Sequence, residues 1–151
     1  MKSKFYILLF LVPMLIAGCI KTDHNPDTDP RNNNYPLGTF TGKFMRVHID
    51  PQTRKTDTIK TDIQLMLSTN TGFYVSGDTS VFHAGSYGSF SEDYTDMSMS
   101  FHDVTWPAHV YDHKTHLMGS YKYSYNGSYL EIVDNKASDT LQYIYHLNKK
   151  Y

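Results

Sequence analysis

One cysteine among 151 residues leaves no pair to oxidise, so the chain has no disulfide framework and must hold itself together by burial. Positive charge is scarce as well. Lys and Arg number 14 against 15 Asp and Glu, a net of −1 with histidine neutral, so there is no basic field for nucleic acid. Long apolar runs are missing too. The longest, Phe5 to Leu15, falls short of the roughly 20 residues that span a bilayer, and polarity returns at Lys21, Thr22 and Asp23. The chain is also too short for a large multidomain enzyme. What it has in quantity is aromatic: 13 Tyr and 8 Phe, with aromatic residues 15% of the whole, the composition of a water-soluble domain instead of a membrane bundle.

Met1-Lys2-Ser3-Lys4 is a short cationic start, and the apolar run behind it ends in small residues, the layout of a secretory leader over residues 1–18. Ile16-Ala17-Gly18-Cys19 then resembles the bacterial lipobox. That resemblance implies diacylglycerol transfer to the Cys19 thiol, cleavage before it and acylation of the new amine, palmitate being the typical chain. The competing expectation is an ordinary secreted protein carrying a free thiol, a liability in an oxidising compartment. Each buried methylene contributes about 0.8 kcal/mol of membrane partitioning, so two or three acyl chains would hold a soluble domain at the bilayer. Ile20 is not the Asp that retains many lipoproteins in the inner membrane, so the resemblance implies the outer membrane, with either orientation open. Loss of Lys2 and Lys4 with the leader turns 14 basic residues into 12 against 15 acidic, a net of −3.

Residues 19–36 form the lipidated cysteine and a tether: Pro26, Pro30, Pro36 and the Asn32-Asn33-Asn34 run, with almost nothing apolar to bury. A flexible coil of that length reaches roughly 20–25 Å, enough to lift a small domain off the headgroups.

In the remaining body, 37–151, the hydrophobic period is two. Ile59, Thr61, Ile63, Leu65 and Leu67 alternate with Lys60, Asp62, Gln64 and Met66, which assigns one row to a core and the other to solvent. Met97-x-Met99-x-Phe101, the row from Leu117 to Tyr125 and the row from Leu141 to Leu147 repeat the pattern. With turn signals such as Asp50-Pro51, Asn70-Thr71-Gly72, Ser76-Gly77-Asp78 and Asn126-Gly127, the spacing predicts about eight strands: 38–49, 56–68, 72–77, 81–90, 95–103, 116–125, 128–134 and 140–148. Asn126-Gly127 predicts a type I′ hairpin turn. The fold class is all-β, with antiparallel strands hiding their edges by closing into an up-and-down barrel; a two-sheet sandwich is the alternative. The one long connection, Val104 to Thr115, is expected to hold a helical turn or a lid over a barrel end.

Gly38-Thr39-Phe40-Thr41-Gly42-Lys43-Phe44 stands where lipocalin-like, calycin-type barrels open their first strand with Gly-x-Trp, Phe40 replacing the Trp. Gly119 through Ile132 resembles the closing hairpin of that family. The resemblance covers 38–148 and implies a barrel, a scaffold that hosts transporters, inhibitors and enzymes alike.

Three kinds of chemistry are candidates. His109, His113 and His116, near His102, Asp103 and Asp112, offer imidazoles for zinc or copper, although His109 and His113 share a face only on a helix. The alternative is loop histidines satisfied by hydrogen bonds, with no cofactor. Tyr121, Tyr123, Tyr143 and Tyr145 with Phe101 and Trp106 are candidates to bind a small hydrophobic or glycan-like molecule on the 104–115 side, or simply to fill the barrel. Glu92, Asp93 and Asp96 offer carboxylates, but they border a turn signal and are expected to solubilise it. No Gly-x-Ser-x-Gly elbow is present. The expected function is therefore non-enzymatic: an envelope lipoprotein binding a small ligand or, alternatively, an envelope protein partner through strand edges and exposed aromatics. An interior void above ~300 Å³ favours the first and a solid core the second.

Overall fold

The computed structural model describes residues 35–106, 112–136 and 140–151. The chain runs through β1 (Gly38–Ile49), β2 (Thr56–Ser68), β3 (Gly72–Gly77), β4 (Tyr87–Asp93), β5 (Ser98–Asp103), β6 (Gly119–Tyr125), β7 (Tyr129–Asp134) and β8 (Leu141–Lys150). Every strand is antiparallel to the next, and β8 returns to pair with β1 from Thr39↔Lys150 to His48↔Leu141. This is the all-β, up-and-down barrel that the alternation predicts, in the lipocalin-like form that the resemblance implies, and closure through β1 and β8 disposes of the sandwich. No helix occurs among the described residues.

Alternation places alternate side chains inside. β1 contributes Phe40 and Phe44, β2 Ile63, Leu65 and Leu67, β3 Phe73 and Val75, and β5 Met99 and Phe101; β6 adds Tyr121 and Tyr123, β7 Leu130 and Ile132, β8 Tyr145 and Leu147. Burying a large apolar side chain of this kind stabilises by roughly 1.5–3 kcal/mol, so the filled interior is what balances the entropy of ordering the strands. Aromatic edges interlock across it. Phe73 meets Phe101 at 5.2 Å, and Tyr121 meets Phe101 at 5.7 Å and Tyr145 at 6.0 Å.

The two ends differ. At the entry end the chain comes in at Tyr35, and the β2–β3, β4–β5 and β6–β7 turns gather there. At the other end two long connections fold across the mouth and pair with each other: Ala84 N–H donates to Thr115 O and Thr115 N–H to Phe82 O, both at 2.9 Å, a parallel bridge between residues 83 and 115. This cap moves two strand boundaries away from the sequence expectation, and a turn at the entry end moves a third. Residues 81–86 belong to the cap and not to the fourth strand, which starts at Tyr87 and runs on to Asp93. The sixth strand begins at Gly119, because 115–117 are held by the cap, where Leu117 N–H donates to the Ser86 hydroxyl at 3.3 Å. The fifth begins at Ser98 after Met97, whose φ of 48° closes the β4–β5 turn.

The β6–β7 hairpin also departs from expectation. Tyr125 pairs with Leu130, so the two central residues are Gly127 and Ser128, and only Gly127 has a positive φ, 94°. That is the type II′ pattern, which wants glycine first. Asn126 instead sits before the turn, its Oδ1 accepting from Ser128 N–H at 3.1 Å and Tyr129 N–H at 2.8 Å.

Candidate functional site

The barrel is least complete between β3 and β4. Only Phe73↔Gly88 and Tyr74↔Tyr87 pair there, whereas β4 is matched to β5 over its full length from Gly88↔Asp103 to Asp93↔Ser98. Two glycines explain the pinch. Gly72 has φ 77°, and a Cβ on it would lie 1.9 Å from Gly88 O; a Cβ on Gly88 would lie 1.9 Å from His102 O. The β2–β3 turn thus presses backbone on backbone at Gly88 and then leaves, while β4 continues alone to Asp93.

A groove of about 650 Å³ opens along this seam at the entry end. Its walls are the incoming segment at Tyr35 and Leu37, the β2–β3 turn from Ser68 to Gly72, and β4 from Tyr87 to Glu92. Glu92 is the one charged side chain in that lining. It occupies the inward row of β4 after Gly88 and Phe90, and it is half-buried. Phe90 lies nearly parallel to Phe101, with ring centroids 6.1 Å apart. Glu92 Oε2 accepts from the Tyr94 hydroxyl, and the Tyr94 ring packs edge-on against Tyr35 at 4.6 Å. Glu92 Oε1 and the Tyr123 hydroxyl are both buried without a hydrogen-bond partner among the described residues. Burial raises the Glu92 carboxyl above the ordinary carboxylate value, with the Tyr94 hydrogen bond opposing. Burial likewise raises Tyr123, helped by the neighbouring Glu92 charge.

The capped end carries the other polar cluster. His83 is fully buried; its Nδ1 lies 2.6 Å from Ala84 O and its Nε2 2.9 Å from the Tyr145 hydroxyl. A carbonyl only accepts, so Nδ1 carries the proton and Nε2 accepts from Tyr145. Burial lowers the His83 pKa to about 4, so the ring is neutral at neutral pH. Burial also raises the Tyr145 phenol well above its ordinary value. Beside it His116 lies between two carboxylates, Nδ1 2.6 Å from Asp103 and Nε2 3.1 Å from Asp112. Asp103 further accepts from the Thr105 N–H at 2.7 Å and its hydroxyl at 2.6 Å. Burial pushes Asp112 up, but the Lys114 N–H and His116 outweigh it and leave its pKa below the usual value. Trp106, 41% exposed, closes edge-on over His116 at 4.8 Å.

These positions sort the residues singled out from the sequence. Phe101, Tyr121, Tyr123 and Tyr145 come together inside the core, and Tyr143 packs half-buried against it. Trp106 is separated from them at the cap. His116 faces two carboxylates, His113 is exposed, and His109 and Cys19 lie outside the described residues. Among the described residues no group of three or more His, Cys, Asp or Glu side chains is arranged to hold a metal ion. The turn expectation holds for two of three carboxylates: Asp93 Oδ1 accepts from Thr95 N–H at 2.9 Å, and Asp96 pairs with Lys122 at 2.6 Å. Glu92 is the correction, since it points inward. The signal was the parity of Gly88-x-Phe90-x-Glu92, which the charge of the following Asp93 disguised. Tyr35, Tyr87 and Tyr94 carried no such signal, because the groove they line is assembled from three distant segments.

No protein family, curated protein or solved structure matches the chain.

Proposed function

We propose that the chain is a lipid-anchored, non-enzymatic interaction module of the cell envelope, built to receive a partner protein at the entry-end groove instead of an enclosed cargo. The observation that carries this reading is the filled interior beside an open seam. Side chains of seven strands pack the core, and the roomy opening, about 650 Å³, lies along β4 and the β2–β3 turn. A carrier of a small hydrophobic molecule would need that volume inside the barrel. The anchoring half of the proposal rests on the lipobox-like Ile16-Ala17-Gly18-Cys19, and Tyr35, the first described residue, lies in the groove lining.

Two measurements test it. A photo-crosslinking residue at Ser89 in intact cells should yield protein-sized adducts, and one at Trp106 should not. Adducts of lipid or oligosaccharide mass at either position, or none at Ser89, would reject the interaction reading in favour of a carrier or of neither. For the anchor, Cys19→Ser should move the protein from the membrane to the soluble fraction, and mass spectrometry of the wild type should find acyl chains on the new N-terminus. An unmodified thiol would remove the anchor.

A further inference from the structure

We infer that the groove binds an extended polypeptide segment by strand addition to the free edge of β4, with a preference for a basic side chain opposite Glu92. The inference rests on the interaction reading above and specifies its mode. It starts from backbone accounting. Val104 N–H donates to Tyr87 O at 3.0 Å, which makes Tyr87 and Val104 a hydrogen-bonded pair. Antiparallel pairs alternate, so Ser89, Ser91 and Asp93 bond to β5, whereas Gly88, Phe90 and Glu92 direct their N–H and C=O groups to the β3 side. Gly88 finds β3 there, opposite Phe73. Phe90 and Glu92 do not. No hydrogen bond from another described segment reaches their backbone on that side.

Four backbone groups thus line the groove in the spacing a strand requires. The overhang from Ser89 to Asp93 is about 17 Å long at 3.4 Å per residue, room for a guest of about five residues lying about 4.8 Å from β4. An exposed edge is a template for another chain, and natural proteins blunt it with lysine, proline, a covering element or an inward-pointing charge, which Glu92 supplies here and which a basic guest side chain would neutralise. Here residues 89–93 read Ser-Phe-Ser-Glu-Asp, with neither lysine nor proline. A guest strand would set alternate side chains against the inward row of Phe90 and Glu92 and the others beside Tyr87 and Val104, both more than half exposed on the outer side. With Glu92 the sole charged side chain in the lining, a lysine or arginine is favoured there over an acidic residue. Because burial raises the Glu92 pKa, that preference should grow as rising pH ionises the carboxyl.

The test uses the full chain and three blocked seven-residue peptides alternating threonine and valine, with lysine, norleucine or glutamate at the centre. Saturation with the lysine peptide should slow amide hydrogen exchange at Phe90 and Glu92 by at least about tenfold, and its affinity should exceed that of the glutamate peptide severalfold. Glu92→Pro removes one of the edge donors and should weaken binding by about fivefold or more, the equivalent of one net hydrogen bond. Glu92→Gln keeps the donor and should retain binding while erasing the charge preference. Unprotected amides, or undiminished binding to a folded Glu92→Pro variant, would overturn strand addition even if Ser89 crosslinks to protein. Protection with equal affinity for all three peptides would overturn the basic preference alone. Absence of both peptide binding and protein adducts would remove the interaction reading itself.

Discussion

Protonation of His83 should unlock the cap. The ring is fully buried, donates from Nδ1 to Ala84 O and accepts at Nε2 from Tyr145, so a second proton at Nε2 would force the Tyr145 hydroxyl to turn its own proton away inside a buried site. Burial lowers its pKa from 6.5 to about 4. Between those values the unfolded chain binds a proton that the folded protein refuses, so the contribution is complete above about pH 6.5 and is lost as pH falls toward 4. At 1.36 kcal/mol per pKa unit the loss is about 3 kcal/mol, a large share of the 5–15 kcal/mol typical of a domain. Urea unfolding followed by circular dichroism at pH 7, 6, 5 and 4 measures it. Carboxylates contribute to the same slope, so the comparison is with His83→Gln, which cannot titrate and should show a shallower decline over this window. An imidazole Cε1 proton of His83 that titrates near 6.5, or a variant with the same slope as the wild type, would refute the reasoning.

Asp103→Asn should destabilise by about 1–3 kcal/mol, because it disrupts the buried hydrogen bond between His116 Nδ1 and Asp103 at 2.6 Å, and equilibrium unfolding with loss of cap amide protection at Thr115 and Leu117 would register it. Tyr123→Phe deletes a buried hydroxyl that has no partner among the described residues and should leave stability unchanged or raise it slightly; a loss above about 1 kcal/mol in the same assay would mean the hydroxyl is bonded. Lys43→Ala removes an ion pair to Asp62 whose side chains are 50% and 73% exposed, and chemical denaturation should detect less than about 1 kcal/mol.

Much of the architecture was legible in the order of residues because sheet burial has a period of two. Ile63, Leu65 and Leu67 announce an inward row within a few positions of one another, and β1, β2 and β3 occupy the spans their alternation and turn residues predict. Where long-range pairing competes with local pattern, legibility fails. Residues 81–86 look like strand, yet Thr115 captures them for the cap. Trp106 looks like the guardian of a cavity, yet among the described residues it packs edge-on against the buried His116.

The chain's alternating chemistry determined that it would be all sheet, how many strands it would have and which side chains would fill the middle, since each of those follows from contacts made between near neighbours along one strand. Only the tertiary structure decided that β8 would close on β1, that Gly72 and Gly88 would pinch β3 from β4, and that Glu92 would turn inward beside an unpaired edge. Those features depend on which backbone atoms meet across tens of residues, and a linear pattern of apolar and polar positions carries no record of such distances.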